Sequence, residues 1–434
     1  MFYLAMPAIA RDLHQPTSNM DTVAVIYLVA VVIVTPFSDW LMEKVGEQRV
    51  YRRAIALFAI AAFFCSQADS LSALVFWRLV QGVGGALMLP AARVMLLKGT
   101  VVDEQVKTLN LVTAAGLFGT LLGPLAGGGC LIFSAWRYLF WLALPLCLLC
   151  LFGCRRHEAG LSISGPVRRF DLYGYLLITT MLSLGLLLLS SVGQQYISSD
   201  SKTFLAFLML LLGSLYFLHH SKVKSSVFRL SLFRKRSYLI SIVGNALVRV
   251  FLSAAPLMFS LALQTEYHYT VLSASMIMLM FSLGSLSAKL IIPRILMWLG
   301  YRWLLTLFTL ISALLLFSLS GMKLMVSTQF MLFVAFSIGI SSSVIYSCLN
   351  TLAFTELNHA TYGAGNNILT VVQLISILLS ISLSFTFLHS YSARFTHELN
   401  QQYYMLFEVM GMGLLLITPL FSWLDANSGK VRVH

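Results

Sequence analysis

Arg78, Arg249 and Lys289 stand inside long apolar runs of this 434-residue chain. A cation held in hydrocarbon costs from about 2.5 kcal/mol upward, so such residues mark proton relays, ion paths or substrate contacts. Arg78 sits about two turns inside its run, and Gln81 follows one turn later. Asn245 and Arg249 are spaced i, i+4 and share one helix face. Arg249 is the deepest charge, about 20 Å along a helix from Arg236. Asn245 and Arg249 are expected to line a central cavity, with an interhelical polar clamp as the alternative; for Arg78, with Gln81 on an adjacent face, the alternative is a structural arginine bonded to backbone carbonyls. Lys289 lies near the end of its run, where a lysine can snorkel. Proton coupling wants an acid whose pKa is raised by burial, and of the 16 acids Glu408 is the clear one inside a run. Tyr27, Asn350 and Gln373 are single polar groups in oily segments; each is a cavity candidate or an interhelical hydrogen bond. No glycine-rich loop leads into Lys-Ser or Lys-Thr, so ATP-driven pumping is not indicated. The nine histidines are scattered, with His219 and His220 expected in a solvated basic loop. Cys147, Cys150 and Cys154 share one apolar helix without a nearby histidine and are expected to pack rather than bind metal. The expectation is therefore no enzyme, no cofactor and no metal.

The elements that carry these residues must cross a membrane. The chain is 59% hydrophobic and 10% charged, against about a quarter charged in soluble domains. Apolar runs of the spanning length occur at 22–37, 54–68, 71–89, 109–133, 138–154, 172–192, 203–218, 238–264, 271–292, 303–320, 330–354, 368–388 and 403–424. Hydrocarbon offers no partner to backbone polar groups, so runs of this length are helices and the class is an all-α membrane protein. Residues 2–10 are too short to span and read as the end of a first helix; with that helix complete the count would be fourteen. The net charge of +13 does not point to nucleic acid, because its placement follows the positive-inside rule. Most of the 29 Lys and Arg fall in the odd-numbered turns and the two basic loops. Arg11, Arg137, Lys202, Lys323 and Arg394 fall on the other side. This orientation puts the C-terminus in the cytoplasm of a cytoplasmic (inner) membrane.

Glycines crowd one oily run, Gly116 to Gly129. Gly119, Gly123 and Gly127 recur every fourth residue and form one smooth stripe with Gly116 and Thr120 beside it, and Gly128 completes the seam. Such stripes let helices touch in lipid, and Pro124 removes a hydrogen bond and bends the helix. The stripe is a packing seam, either static or sliding during transport. Two basic connections, near 158–170 and 219–237, divide the chain into helices at 1–170, a two-helix insert at 171–220, and helices at 221–434. A weak echo joins the halves: "WLMEKVGEQR" (40–49) and "ILMWLGYRW" (295–303) each place a glycine and an arginine in a tight turn.

On these motifs the chain resembles the major facilitator superfamily. "GTLLGPLAGG" (119–128) is similar to its antiporter signature, "RLVQGVGGALMLP" (78–90) to its fourth-helix signature, and "WLMEKVGEQRV" (40–50) to its loop between helices two and three. "MPAIARDL" (6–13), "SAWRYLFWLALP" (134–145), "FDLYGYLL" (170–177) and "LSLFRKRSY" (230–238) resemble the fourteen-helix drug:proton antiporter branch. "CLNTLAF" (348–354) and "LDANSG" (424–429) resemble a bacterial inner-membrane subgroup of it. The resemblance implies two six-helix bundles plus two linker helices, thirteen full spans with a partial first helix, and a central cavity opening alternately to each side. It implies proton-driven export of small lipophilic compounds by a monomer, with Arg78 in coupling or gating. Asp39, Glu43, Lys44, Gly46 and Arg49 fall on the gating loop, although Asp39 stands where the family has glycine and Glu43 where it has Asp. The branch's first-helix acid has no counterpart from Met1 onward. Alternatives are a symporter or facilitator on the same fold, and a transport-dead sensor.

Overall fold

The computed structural model describes residues 2–16, 20–98, 119, 136–155, 170–190, 199–222, 230–321, 327–355, 362–394 and 401–424. Every regular element among them is helical. Among the described residues seven helical stretches are long and apolar enough to cross a membrane, at 71–92, 236–265, 271–292, 294–320, 328–353, 368–388 and 402–422. Four shorter apolar helices cover Val25–Ser38, Tyr138–Gly153, Leu172–Gly185 and Thr203–His219. The predicted span at 109–133 lies outside the described residues, apart from Gly119.

The chain forms two compact units, one of 1–186 with 203–227 and one of 187–202 with 228–434. The first contains α1 (Phe2–Asp12), α2 (Met20–Val45), α3 (Glu47–Ser66), α4 (Leu71–Lys98), the short α5 (Tyr138–Trp141) and α6 (Ala143–Arg155). It also holds most of α7 (Leu172–Ser190) and α8 (Ser199–Lys222). Ala5, Met6, Ile9, Val23, Leu74 and Trp136 make one apolar cluster at one end; Met42, Val50 and Ala91 make another between α2, α3 and α4. The "SAWRYLFW" motif closes the first end. Trp136 donates to Asp12 at 2.9 Å, and Arg137 bridges Asp12 at 2.7 Å and Asp69 at 3.0 Å.

The "FDLYGY" motif fastens α7 to this unit. Phe170 packs on Trp40 and Phe37, with ring centres 5.0 and 5.3 Å away, and the Tyr175 hydroxyl donates to the Ile33 carbonyl at 3.0 Å. Asp171 accepts from the Gly174 amide at 2.9 Å and pairs with His219 at 2.7 Å. The expectation of a solvated His219 is therefore corrected: α8 runs on to Lys222 and carries the imidazole to a buried carboxylate.

The second unit contains a 3₁₀ turn (Leu230–Arg234), α9 (Arg236–Leu252), α10 (Ala255–Thr265), α11 (Val271–Ser320), α12 (Thr328–Phe354), α13 (Tyr362–Arg394) and α14 (Gln402–Ser422). The single predicted span 238–264 is two helices, because Pro256 begins α10 and can continue no hydrogen-bond ladder from α9. The echoing motifs become one device. Gly46 (φ 90°) and Gly300 (φ 68°) are the two positive-φ glycines among the described residues. Each is the single residue between consecutive helices, since Gly46 separates α2 from α3 and Gly300 breaks α11. With ψ of 138° and 169°, both occupy backbone space that side chains resist at a cost of about 1–3 kcal/mol.

Close helix contact rests on other glycines. A Cβ on Gly82 would fall 2.5 Å from the Tyr27 carbonyl oxygen and 2.7 Å from the Ala30 Cβ. On Gly339 it would strike the Phe281 carbonyl, and on Gly284 the Phe336 carbonyl. These are backbone atoms of the facing helix, so the helices themselves would have to separate. Gly119 is exposed, and a Cβ there meets nothing within 4 Å among the described residues. Gly116, Gly123, Pro124, Gly127 and Gly128 lie outside the described residues. Gly339→Ala is expected to lower the thermal unfolding midpoint of the detergent-purified protein, in keeping with the roughly 1–3 kcal/mol of overpacking. Gly119→Ala is expected to leave it unchanged or slightly raised. Equal midpoints for the two variants would show that the Gly339 contact is not what holds α11 to α12.

Candidate functional site

In the first unit Arg78, Gln81 and Tyr27 come together. Arg78 and Gln81 are one turn apart on α4, and the guanidinium donates to the Gln81 side-chain oxygen at 2.7 Å. Its Nε reaches the Val23 carbonyl on α2 at 3.4 Å. The Arg78 guanidinium carbon lies 4.5 Å from the centre of the Tyr27 ring, in cation–π range. Gly85 makes this possible, since a Cβ there would lie 2.5 Å from the Tyr27 hydroxyl. Gln81 is buried. The contact with α2 is thus what holds an arginine at this depth.

In the second unit Asn245 and Arg249 meet as their spacing predicts. Asn245 spends its amide on the Ser241 carbonyl at 3.2 Å, which turns its oxygen toward Arg249 Nε, also at 3.2 Å. Ser241 in turn donates to the Leu349 carbonyl of α12 at 2.6 Å. The guanidinium carbon stands 4.1 Å from the centre of the Tyr346 ring, whose hydroxyl is 3.2 Å from Ser253 Oγ. Arg249 occupies the last turn of α9, where the free carbonyls of a helix end favour a cation. The break is itself held, as the Ala254 amide donates to Ser380 of α13 at 2.9 Å.

Lys289 bonds Ser347 of α12. One stripe leads to that bond: Gly339 meets Phe281 backbone, Ser343 donates to the Ser285 carbonyl at 2.9 Å, and Ser347 meets Lys289. The steps of four residues on both helices keep the contact on one face. Asn350 and Gln373 bond each other at 2.7 Å, tying α12 to α13. Glu408 is half-buried on α14 and shows no ion pair or hydrogen bond among the described residues. In the loop set, Gly46 makes the turn, while Glu43, Lys44 and Arg49 are exposed; Lys44 lies over the Trp40 ring at 4.8 Å.

Glu266 escapes a reading of spans alone. It lies just beyond the 236–265 span yet is only 9% exposed. Burial raises its carboxyl pKa, against the lowering effects of a hydrogen bond from Gln402 and the charge of His268. Tyr267 and Tyr403 also face it. The signal in the sequence is faint: a lone acid among Thr265, Tyr267 and Tyr269. A raised carboxyl pKa favours the protonated folded state. The benefit is whole below the ordinary value of about 4.3 and is lost as pH rises through the raised value. Glu266→Gln is therefore expected to raise the unfolding midpoint at pH 7 relative to the parent and to flatten its fall as pH rises above the ordinary carboxyl range. Parallel pH profiles for the two proteins would exclude this cost.

Packed apolar helices that break at glycine and proline and carry cations at membrane depth are the architecture of a multi-pass membrane protein. The Major Facilitator Superfamily profile matches residues 1–381, and the chain belongs to that superfamily. It is 30% identical over 390 residues to the "Probable transport protein HsrA" of Haemophilus influenzae, covering 89% of this chain and 83% of the relative. It is 28% identical over 440 residues to the "Putative multidrug resistance protein MdtD" of Yersinia enterocolitica, covering 99% and 92%. The fold is that of a D-xylose–proton symporter (TM-score 0.70, 14% identity, 99% and 94% covered). A peptide transporter, POT, solved with sulfate, aligns with a TM-score of 0.67 at 14% identity, over 97% and 92%. Family and fold indicate a transporter rather than an enzyme.

Proposed function

We propose that this protein is a proton-coupled exporter of small lipophilic compounds that works by alternating access in a bacterial cytoplasmic membrane. The near-full-length likeness to the MdtD proteins carries the reading. The residues supply a rationale. In this reading 1–170 and 221–434 are the two moving bundles, with 171–220 as an inserted pair of helices and the C-terminus in the cytoplasm. Each bundle contributes its own polar pair to transport, Arg78 with Gln81 in the first and Arg249 with Asn245 in the second, and Glu408 or Glu266 takes up the proton. Tyr27 in the first bundle, and Asn350 and Gln373 in the second, are the further polar candidates for solute contact within their own bundles. The loop from Asp39 to Arg49 gates transport on the cytoplasmic side, and the glycine run 116–128 is a sliding seam. The working form is a monomer in the bilayer, with a small-molecule substrate and protons as partners.

Inverted membrane vesicles containing the full chain test this. With an acidic lumen, a lipophilic dye should accumulate inside, and a protonophore should abolish the accumulation. Arg78→Gln should cut the initial rate about tenfold or more, equivalent to at least about 1.4 kcal/mol. Dye movement that ignores the pH gradient would replace the exporter with a facilitator. No movement of any dye would leave a transport-dead membrane protein.

A further inference from the structure

The second unit holds two cations at membrane depth, Arg249 and Lys289, and among the described residues neither is paired with a carboxylate. Arg249 is 9% exposed. Its Nε bonds Asn245, and its face lies on Tyr346. Its terminal nitrogens find no hydrogen-bond acceptor among the described residues. Lys289, from α11, bonds Ser347. Tyr346 and Ser347 are consecutive on α12, so one turn of that helix receives positive charge from two others. The two cations lie near enough to act on each other electrostatically. In the other unit, by contrast, Arg137 pairs with Asp12 and Asp69, and His219 with Asp171. The groups that do surround the cations, Asn245, Ser253, Tyr346 and Ser347, are neutral.

Two like charges in a low-dielectric setting repel, and each has given up hydration. A shared anion would relieve both penalties. Arginine loses no proton at any working pH, so Arg249 cannot serve as a proton carrier. Its planar fork of donors suits a carboxylate or sulfonate, while a lysine adds a mobile point charge.

We propose that Arg249 and Lys289 together bind the anionic head of the transported compound, an organic carboxylate or sulfonate on an apolar body. This rests on the transporter reading and narrows its substrate class from lipophilic compounds to lipophilic acids. The neutral groups around the cations leave their charge available to the ligand.

Equilibrium binding to the purified full chain in neutral detergent tests this without any pH gradient. Failure of dye transport in vesicles would therefore not decide it, and the converse also holds. Two dyes with the same xanthene ring are compared by fluorescence polarisation: anionic carboxyfluorescein and cationic rhodamine 6G. Carboxyfluorescein should bind about tenfold or more tightly than rhodamine 6G. Lys289→Gln and Arg249→Gln should each weaken carboxyfluorescein about tenfold, with rhodamine unchanged. Lys289→Arg should restore it. Lys289 is half-exposed, so its variants carry the test even if Arg249→Gln fails to fold. Competition separates the sources of the anion. Displacement by naphthalene sulfonate supports a solute site; displacement by phosphatidylglycerol alone would make this a lipid-headgroup site and overturn the proposal. It is also overturned if rhodamine binds as tightly, if no saturable carboxyfluorescein binding occurs, or if Lys289→Gln leaves carboxyfluorescein affinity unchanged.

Discussion

Contact between helix backbones, made where a side chain is missing, is the constraint on which the rest of this structure depends. In hydrocarbon there is no water to expel, so helices cohere through van der Waals contact and the few hydrogen bonds that close approach allows. Gly82 and Gly85 bring α2 onto α4, and that contact lays the Tyr27 ring under Arg78. Gly284 and Gly339 bring α11 onto α12, and four-residue steps from there deliver Ser343 to Ser285 and Ser347 to Lys289. The placement of charge is thus a consequence of where glycine sits, in each unit separately.

Much of this was legible in the sequence, for a physical reason. Membrane helices must satisfy their own backbones, so apolar length reports them directly. Deep charges are costly, so their positions stand out, and i, i+4 spacing puts Asn245 beside Arg249 without any tertiary information. The echo of Gly46 in Gly300 was also readable, and its meaning is now specific: both adopt backbone angles closed to other residues. The partners were not readable. Asn350 and Gln373 each look solitary in their own helix, and only packing makes them a pair. His219 sits in a basic stretch that suggests solvent, yet Asp171, 48 residues earlier, claims it. The small-residue row Gly339–Ser343–Ser347 invites little notice beside the richer glycine run at 116–128. In the structure that row meets a facing helix, because a Cβ on Gly339 would strike the Phe281 carbonyl.

The break after α9 shows how one residue links local geometry to charge. Pro256 has no amide to offer the Leu252 carbonyl and the Ala254 amide turns to Ser380, so the ladder of α9 ends with the bond from the Ser253 amide to the Arg249 carbonyl. Arg249 stands in that turn, so part of the cost of its burial is offset by the helix end itself. Ser380 then caps the first amide beyond the break from a different helix. A continuous helix over 238–264 would have supplied neither the carbonyls nor the bend.

What surrounds Arg249 is also informative for what it is not. A carboxylate in place of Asn245 would neutralise the guanidinium more strongly than an amide oxygen can. It would also occupy the charge permanently. The chain instead holds the arginine with an amide oxygen, an aromatic face and a helix end, all electrically neutral overall. That choice leaves the fold less stable than an internal ion pair with well-satisfied partners would, and a buried cation left open in this way is costly enough to need a compensating role. Lys289, held beside it by a serine hydroxyl rather than an acid, repeats the same choice. Two such positions meeting at one turn of α12 are hard to account for by packing alone, because packing would be served better by apolar residues of similar volume.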